Sequence, residues 1–457
     1  MSEKKKNSNS PAKANNVLFK LDGITKQKKH GLKLKKILLQ LVSFLIIIGI
    51  LIMADFSINL YQKIDALKFL KKGKFLILLQ NNAELRPTGG FIGSFAVLET
   101  QNYKPQKINF NSNIYKIDDE FTKLNTILPP KPLEKITKGK WAIRDANFAV
   151  DFAESAKQVQ WFYNQETGDS VDGVVALNAS LIKDLLKLTG PIELPQYETT
   201  ISTDNFFDTL AFKIEKEYFF NQENWQEDEP KSILKDMMPI LMEKALKISK
   251  LKLIVFFTKQ FNEKQILLMS NIDDQELKIA RAGWGGLVLD STGDYLYINN
   301  ANITDTSQNK NMGAKTSLKI NQSVELEITK NEAVRENNLK ITRTHTGTYN
   351  WPDGVNYNYM RVLVPKNSTL KQIFIDKKDM TSQVEIGEEA GKTYFALWAE
   401  TAPQQTTIVN LTYSLPQNIK NNLVIQKQPG TIGDNFKIKI NDKPVFSGLV
   451  DSDRNLF

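Results

Sequence analysis

The chain has 457 residues, with 60 Lys+Arg against 51 Asp+Glu, two histidines and no cysteine. That length accommodates two or three domains, while the missing cysteine excludes disulfides, thiolate nucleophiles and iron–sulfur clusters, and one histidine beyond residue 36 excludes a multi-histidine metal site. The net charge of +9 resides in residues 1–36, where 11 lysines face Glu3 and Asp22, so the remaining body is neutral and is not that of a nucleic-acid binder.

Residues 1–36 form a polar, basic tail of the kind that remains disordered. Residues 37–54 then run 18 positions without a charge. As a helix they span about 27 Å, close to the roughly 30 Å of a bilayer's hydrocarbon core, which predicts a single transmembrane helix. Lys26, Lys28, Lys29, Lys33, Lys35 and Lys36 precede it and Asp55 follows, so the positive-inside rule places the tail in the cytoplasm and everything beyond residue 55 outside. A cleaved signal peptide is the competing reading; the long charged region and the absence of a small-x-small site favour an uncleaved anchor.

After a connector over 55–71, the apolar run 75–79 predicts a strand buried on both faces, and 91–98 a second, with a polar loop 81–90 between them. Residues 101–140, punctuated by prolines, predict a loop-rich excursion containing one strand at 107–110. Helices are predicted over 152–163, capped by Asp151, over 181–188, over 207–218, capped by Thr203 or Asp204, and over 234–248; strands are predicted at 171–177 and 266–269. With the stretch 287–299 these complete an α/β domain over 72–305. Eight alternating strands between 323 and 440 predict an all-β sandwich over 315–457, immunoglobulin-like in pattern.

The densest polar constellation is Asn81-Asn82-Ala83-Glu84-Leu85-Arg86-Pro87-Thr88-Gly89-Gly90. A loop there, outside the carboxyl end of a strand, places the Arg86 fork and glycine-exposed N–H groups where an anion could sit. The plainer alternative is a structured turn in which Arg86 pairs with Glu84. Arg144-Asp145-Ala146-Asn147 is a second cluster. Asp118-Asp119-Glu120 reads as a solvated loop, Asp172 as a turn, and Trp284 as packing.

The words LILLQNNAELRPTGGFIGSFAVLE, RDAN, VDGVVALN, LTGPIELP, GDYLYINNAN and QKQPG closely resemble the bacterial domain of unknown function 4012, a family name that carries no activity. The order of tail, span and α/β domain more distantly resembles the LytR-CpsA-Psr proteins, which transfer polyprenyl-pyrophosphate-linked glycopolymers. That resemblance implies a central mixed sheet with flanking helices and a membrane-anchored extracytoplasmic cell-envelope protein that binds a phosphorylated or polyprenyl-pyrophosphate-linked glycopolymer or transfers it as a phosphotransferase. Arg86, Arg144, Asp145 and Glu84 would be catalytic, Asp145 and Glu84 would hold Mg2+, and Asn82, Thr88, Gly89, Gly90 and Asn147 would contact the ligand. Two family features depart from this: the Arg-Ser-Asp-Thr word is replaced by Arg86-Pro-Thr-Gly, and residues 206–231 contain no arginine. The alternative reading is a non-enzymatic surface scaffold or adhesin that binds a partner through the β-sandwich.

Overall fold

The structure, a computed structural model, describes residues 58–219, 231–307, 312–330 and 335–457. The expected tail and the expected transmembrane segment 37–54 lie outside them. Among the described residues no helix is long and apolar enough to cross a membrane.

The chain opens with α1 (Ile58–Leu67), followed by β1 (Lys72–Arg86), β2 (Gly89–Gln101) and β3 (Lys104–Asn111). Then come α2 (Ile114–Leu124), α3 (Phe152–Thr167), β4 (Gly173–Asn178), α4 (Ala179–Thr189), the short pair β5 (Ile192–Leu194) and β6 (Thr199–Ile201), α5 (Phe206–Ala211), α6 (Ser232–Leu246), α7 (Lys250–Asn262), β7 (Ile266–Ser270) and α8 (Asp273–Arg281). The sheet order is β3-β2-β1-β4-β7, parallel at β1–β4 and antiparallel elsewhere. Leu76 and Leu78 join a core with Phe152 and Phe162 of α3, whereas Phe75 joins Leu185 of α4, Met237 of α6 and Phe257 of α7 on the opposite side. A strand covered on both faces needs apolar residues at successive positions, which is why β1 begins as an unbroken apolar run.

Several expectations are corrected. Residues 81–86 belong to β1, and only Pro87-Thr88 turn the chain into β2, with a register shift between Asn81 and Leu85 absorbing the extra residues. The segment 101–140 contains α2, whose Asn113 accepts a hydrogen bond from the Lys116 amide. Asp118 lies on that helix, fully buried rather than solvated. Helices α7 and α8 were not anticipated, because Phe, Val and Ile dilute the helical signal of α7 and α8 is one short amphipathic turn pair. The helix expected over 207–218 is α-helical only to Ala211 and then widens into a π-turn; Asn205, not Thr203 or Asp204, stands at its start, without a side-chain cap. Asp151 does cap α3, accepting from the amides of Ala153 and Glu154, and its other oxygen accepts from Val288. Trp284 is packing, stacked 4.0 Å from Phe261.

The remaining strands are β8 (Asp294–Asn302), β9 (Ile320–Lys330), β10 (Arg335–His345), β11 (Asn356–Val364), β12 (Thr369–Ile375), β13 (Lys378–Asp379), β14 (Glu385–Glu389), β15 (Lys392–Thr401), β16 (Thr406–Ser414), β17 (Leu423–Gln426), β18 (Asp434–Ile440), β19 (Lys443–Val450) and β20 (Arg454–Leu456). They form sheets β13-β12-β16-β10-β9-β18-β19 and β14-β15-β11-β8-β17-β20, sharing one core that includes Val324, Ile341, Val362, Phe395, Val409 and Ile438. All eight anticipated strands are present. Strand β8, expected to finish the α/β unit, pairs instead with β11 and β17 in the second unit. Its nine residues are all buried, because one face packs into the β core and the other against the α/β unit.

Candidate functional site

The sequence words chosen for chemistry meet at the junction of the two units. Arg86, 1 % exposed, donates from Nε and Nη2 to Asp145 Oδ1 at 3.2 and 2.9 Å, from Nη2 to Glu84 Oε1 at 3.0 Å, and from Nη1 to the carbonyls of Asn302 at 2.8 Å and Leu85 at 3.3 Å. All five guanidinium N–H groups are thereby engaged. Gln428 donates to the Arg86, Pro87 and Asn300 carbonyls and accepts from the Asn300 amide, while Asn299 donates to Pro87 O at 2.9 Å. Asn82 bridges three segments: its amide donates to Ser180 Oγ at 2.6 Å and Gly430 O at 2.7 Å, and its carbonyl accepts from Ser180 N at the start of α4. Asn147 donates to Gly90 O at 2.9 Å, and Thr88 to Asn147 O. Gly89, at φ +136°, and Gly430 lie back to back; a Cβ on Gly430 would sit 2.9 Å from Gly89 Cα. NNAELRPTGG, RDAN, NNAN and QKQPG therefore compose one buried seam, and the donors expected to hold an anion are spent on the protein itself.

This changes the expected roles. Glu84 and Asp145 face the same guanidinium, and among the described residues no group of three or more His, Cys, Asp or Glu side chains could hold a metal ion. Both carboxylates named for Mg2+ are engaged by Arg86. Burial opposes the charge on Glu84, but Lys315 and Arg86 outweigh it and hold the carboxyl below its usual range. Arg144 remains 17 % exposed, paired with Asp118 at 3.4 Å and Asp119 at 3.5 Å, its guanidinium carbon 5.1 Å from the Tyr115 ring centre. Behind it, burial pushes Asp118 up to about 7 and Glu166 up to about 9, so this carboxyl pair retains a proton at neutral pH. His345 takes no part: its Nδ1 accepts from Gly347 N, and its Nε2 meets Gly354 O.

Beside the seam lies a cavity of ≈ 1010 Å³. Its body is apolar, walled by Ile77 and Leu79 of β1, Ala96 and Leu98 of β2, Leu181 and Leu185 of α4, and Met237 and Met238 of α6. One sheet face forms the floor because the residues of β1 and β2 alternate sides, and the methionines supply adaptable walls. Its polar part is lined by Glu84, Arg86, Tyr115, Arg144, Asp145, Glu215, Lys231 and Lys315. The β unit contributes Lys315, held between Glu84 Oε2 at 3.0 Å and Glu215 Oε1 at 2.7 Å, as well as Asp305, Trp351 and Pro352. Lys231 is 9 % exposed, and burial beside Lys315 lowers its ammonium to about 7 despite Glu215 and Glu84. Sequence reasoning brought Arg86, Arg144, Asp145 and Glu84 to this place but missed Lys231, Lys315, Glu215 and Tyr115. Each is an isolated polar residue with no local motif; the methionines of α6, Met237, Met238 and Met242, were the available hint of a soft apolar wall.

The fold and the site define a two-unit protein whose α/β half encloses an amphipathic cavity closed by the β half. Residues 71–214, most of the α/β unit, match the model described as a protein of unknown function, DUF4012. No curated protein matches the sequence. Among solved structures it is similar to a Legionella pneumophila protein provisionally described as nutrient-binding (12 % identity, 27 % of this chain, 50 % of that one, TM-score 0.22). It is also similar to Legionella pneumophila aminopeptidase A (10 % identity, 27 % of this chain, 16 % of that one, TM-score 0.19) and to an M1 zinc metallopeptidase of Deinococcus radiodurans (10 % identity, 27 % of this chain, 32 % of that one, TM-score 0.17). The chain spans half or less of each, and these likenesses bear on neither fold nor activity.

Proposed function

We propose that this is a membrane-anchored, extracytoplasmic cell-envelope protein whose α/β unit binds a polyprenyl-type lipid carrying an acidic, saccharide-bearing head. The single observation behind the reading is the cavity: an apolar chamber at the upper end of the size range of ligand sites, ending among cations. The uncharged segment 37–54 and the lysines before it support the anchor and its orientation, which would place the chamber beside the bilayer that supplies such lipids. The LytR-CpsA-Psr-like and immunoglobulin-like assignments belong to the same proposal. The mixed sheet between helical layers supports the first; the parallel pairs β8–β17 and β9–β18 set the second apart from an all-antiparallel sandwich.

Binding, rather than phosphotransfer, is the stronger form of this reading. Arg86, Glu84 and Asp145 are engaged with one another in the seam, which favours a structural over a catalytic role for these three residues. The test is native mass spectrometry of the full chain in detergent with undecaprenyl phosphate. One lipid bound per chain, lost when Ala96 is replaced by Trp to fill the chamber, is the expected result. Equal retention by the filled variant would place the lipid elsewhere and overturn the proposal.

A further inference from the structure

Among the described residues, the cations of the cavity's polar part each have a carboxylate within ion-pair distance, with one exception. Arg86 is matched by Glu84 and Asp145, Lys315 by Glu84 and Glu215, and Arg144 by Asp118 and Asp119. Lys231 is nine-tenths buried, yet among the described residues its ammonium makes no hydrogen bond or ion pair. It lies over Gly93, the residue left unpaired where the β1–β2 register shifts between Leu79↔Ser94 and Gln80↔Ile92. A Cβ on Gly93 would stand 2.9 Å from Lys231 Nζ, so the glycine makes room for the ammonium on the cavity floor. Elsewhere on the same lining, the Gln80 amide and the Asn178 carbonyl are buried without a partner among the described residues. Buried polar groups are normally satisfied, and an unpaired ammonium together with two unsatisfied side chains on one chamber marks a place for a polar ligand group.

We propose that Lys231 anchors the head of the cavity's ligand through a single acidic group, a monophosphate or a carboxylate, in place of a metal-bridged pyrophosphate. This rests on the lipid-binding reading and adds the head-group class and the residue that recognises it. One unmatched cation neutralises one acidic group, and the neighbouring carboxylates are tied to Arg86, Arg144 and Lys315, leaving no ligand set for the ion that a pyrophosphate requires. A head that also carries a hydroxyl or phosphoryl oxygen would satisfy Gln80.

The experiment compares four probes on the full chain in detergent: undecaprenyl phosphate, undecaprenyl pyrophosphate, the uncharged alcohol undecaprenol, and stearate. Wild type is expected to bind the monophosphate at least about 30-fold more tightly than the alcohol, a preference that Lys231→Met abolishes and Lys231→Arg largely retains while alcohol binding stays constant. Stearate competing as well as the monophosphate would identify the carboxylate source; failure to compete would identify the phosphate. An unchanged preference in Lys231→Met, or tighter binding of the pyrophosphate, overturns the Lys231 assignment while leaving a lipid chamber intact. If wild type binds none of the four, the lipid reading itself falls.

Discussion

Replacing Arg86 and Lys231 in turn by methionine is expected to shift stability in opposite directions. Both side chains are buried on the same chamber, but Arg86 is surrounded by acceptors whereas Lys231 has none among the described residues. Arg86→Met strips Asp145 of its side-chain partner and leaves Glu84 to Lys315, so the cost is that of breaking a buried ion pair, about 3–5 kcal/mol. Lys231→Met removes an unsatisfied ammonium and retains its apolar stem, so the ligand-free protein is expected to gain about 1–3 kcal/mol. Chemical denaturation of the full chain, comparing midpoints at unchanged slope, measures both. An Arg86→Met chain within about 1 kcal/mol of wild type would show that the guanidinium is available for a ligand and would refute the seam argument. A Lys231→Met chain as damaged as Arg86→Met would mean that the lysine has a structural partner.

Other outcomes can be checked separately. The raised carboxyls of Asp118 and Glu166, up to about 7 and about 9 from ordinary values of 3.8 and 4.5, mean that the folded chain holds protons the unfolded chain releases. Their contribution is therefore fully present in acid and is lost as pH rises through those folded values, and Glu166→Gln is expected to flatten this alkaline loss in pH-dependent melts. Asp151→Ala removes a cap for α3 and the acceptor for Val288, and thermal melting is expected to show a loss of about 1–2 kcal/mol. Gly90→Ala would place a Cβ 2.1 Å from the Asn81 carbonyl carbon, so the β1–β2 hairpin cannot keep its register and the soluble yield of folded chain should collapse. Deleting residues 37–54 should release the chain from the membrane fraction; continued sedimentation with membranes would contradict the single-anchor reading.

The sequence disclosed elements wherever periodicity or capping acts locally. The apolar run of β1, the Asp151 cap of α3, Gly190 after α4 and the alternation of the β strands all depend on neighbours within a few residues. The polar words were legible as special, and the plainer alternative, with Arg86 paired to Glu84, is present at 3.0 Å; their longer-range partners were not legible. A motif such as NNAELRPTGG has the composition of an anion loop, and its donors differ from those of a real one solely in where their acceptors lie. Here those acceptors are Asn302, Gly430 and Asp145, and distances of 59 to 348 residues along the chain leave no local trace. The same distance hid Lys231, whose significance is the absence of a partner, something no spacing encodes.

Gln428 reaches back 342 residues to the Arg86 carbonyl, and Gly430 reaches back 348 to Asn82. A ribosome works from the other end. The β1–β2 hairpin is therefore made well before the residues that complete it, with its turn carbonyls and the Asn82 amide waiting for Gln428 and Gly430. Truncation after the α/β half, or a pause before residue 430, would leave an unfinished edge rather than a smaller working protein.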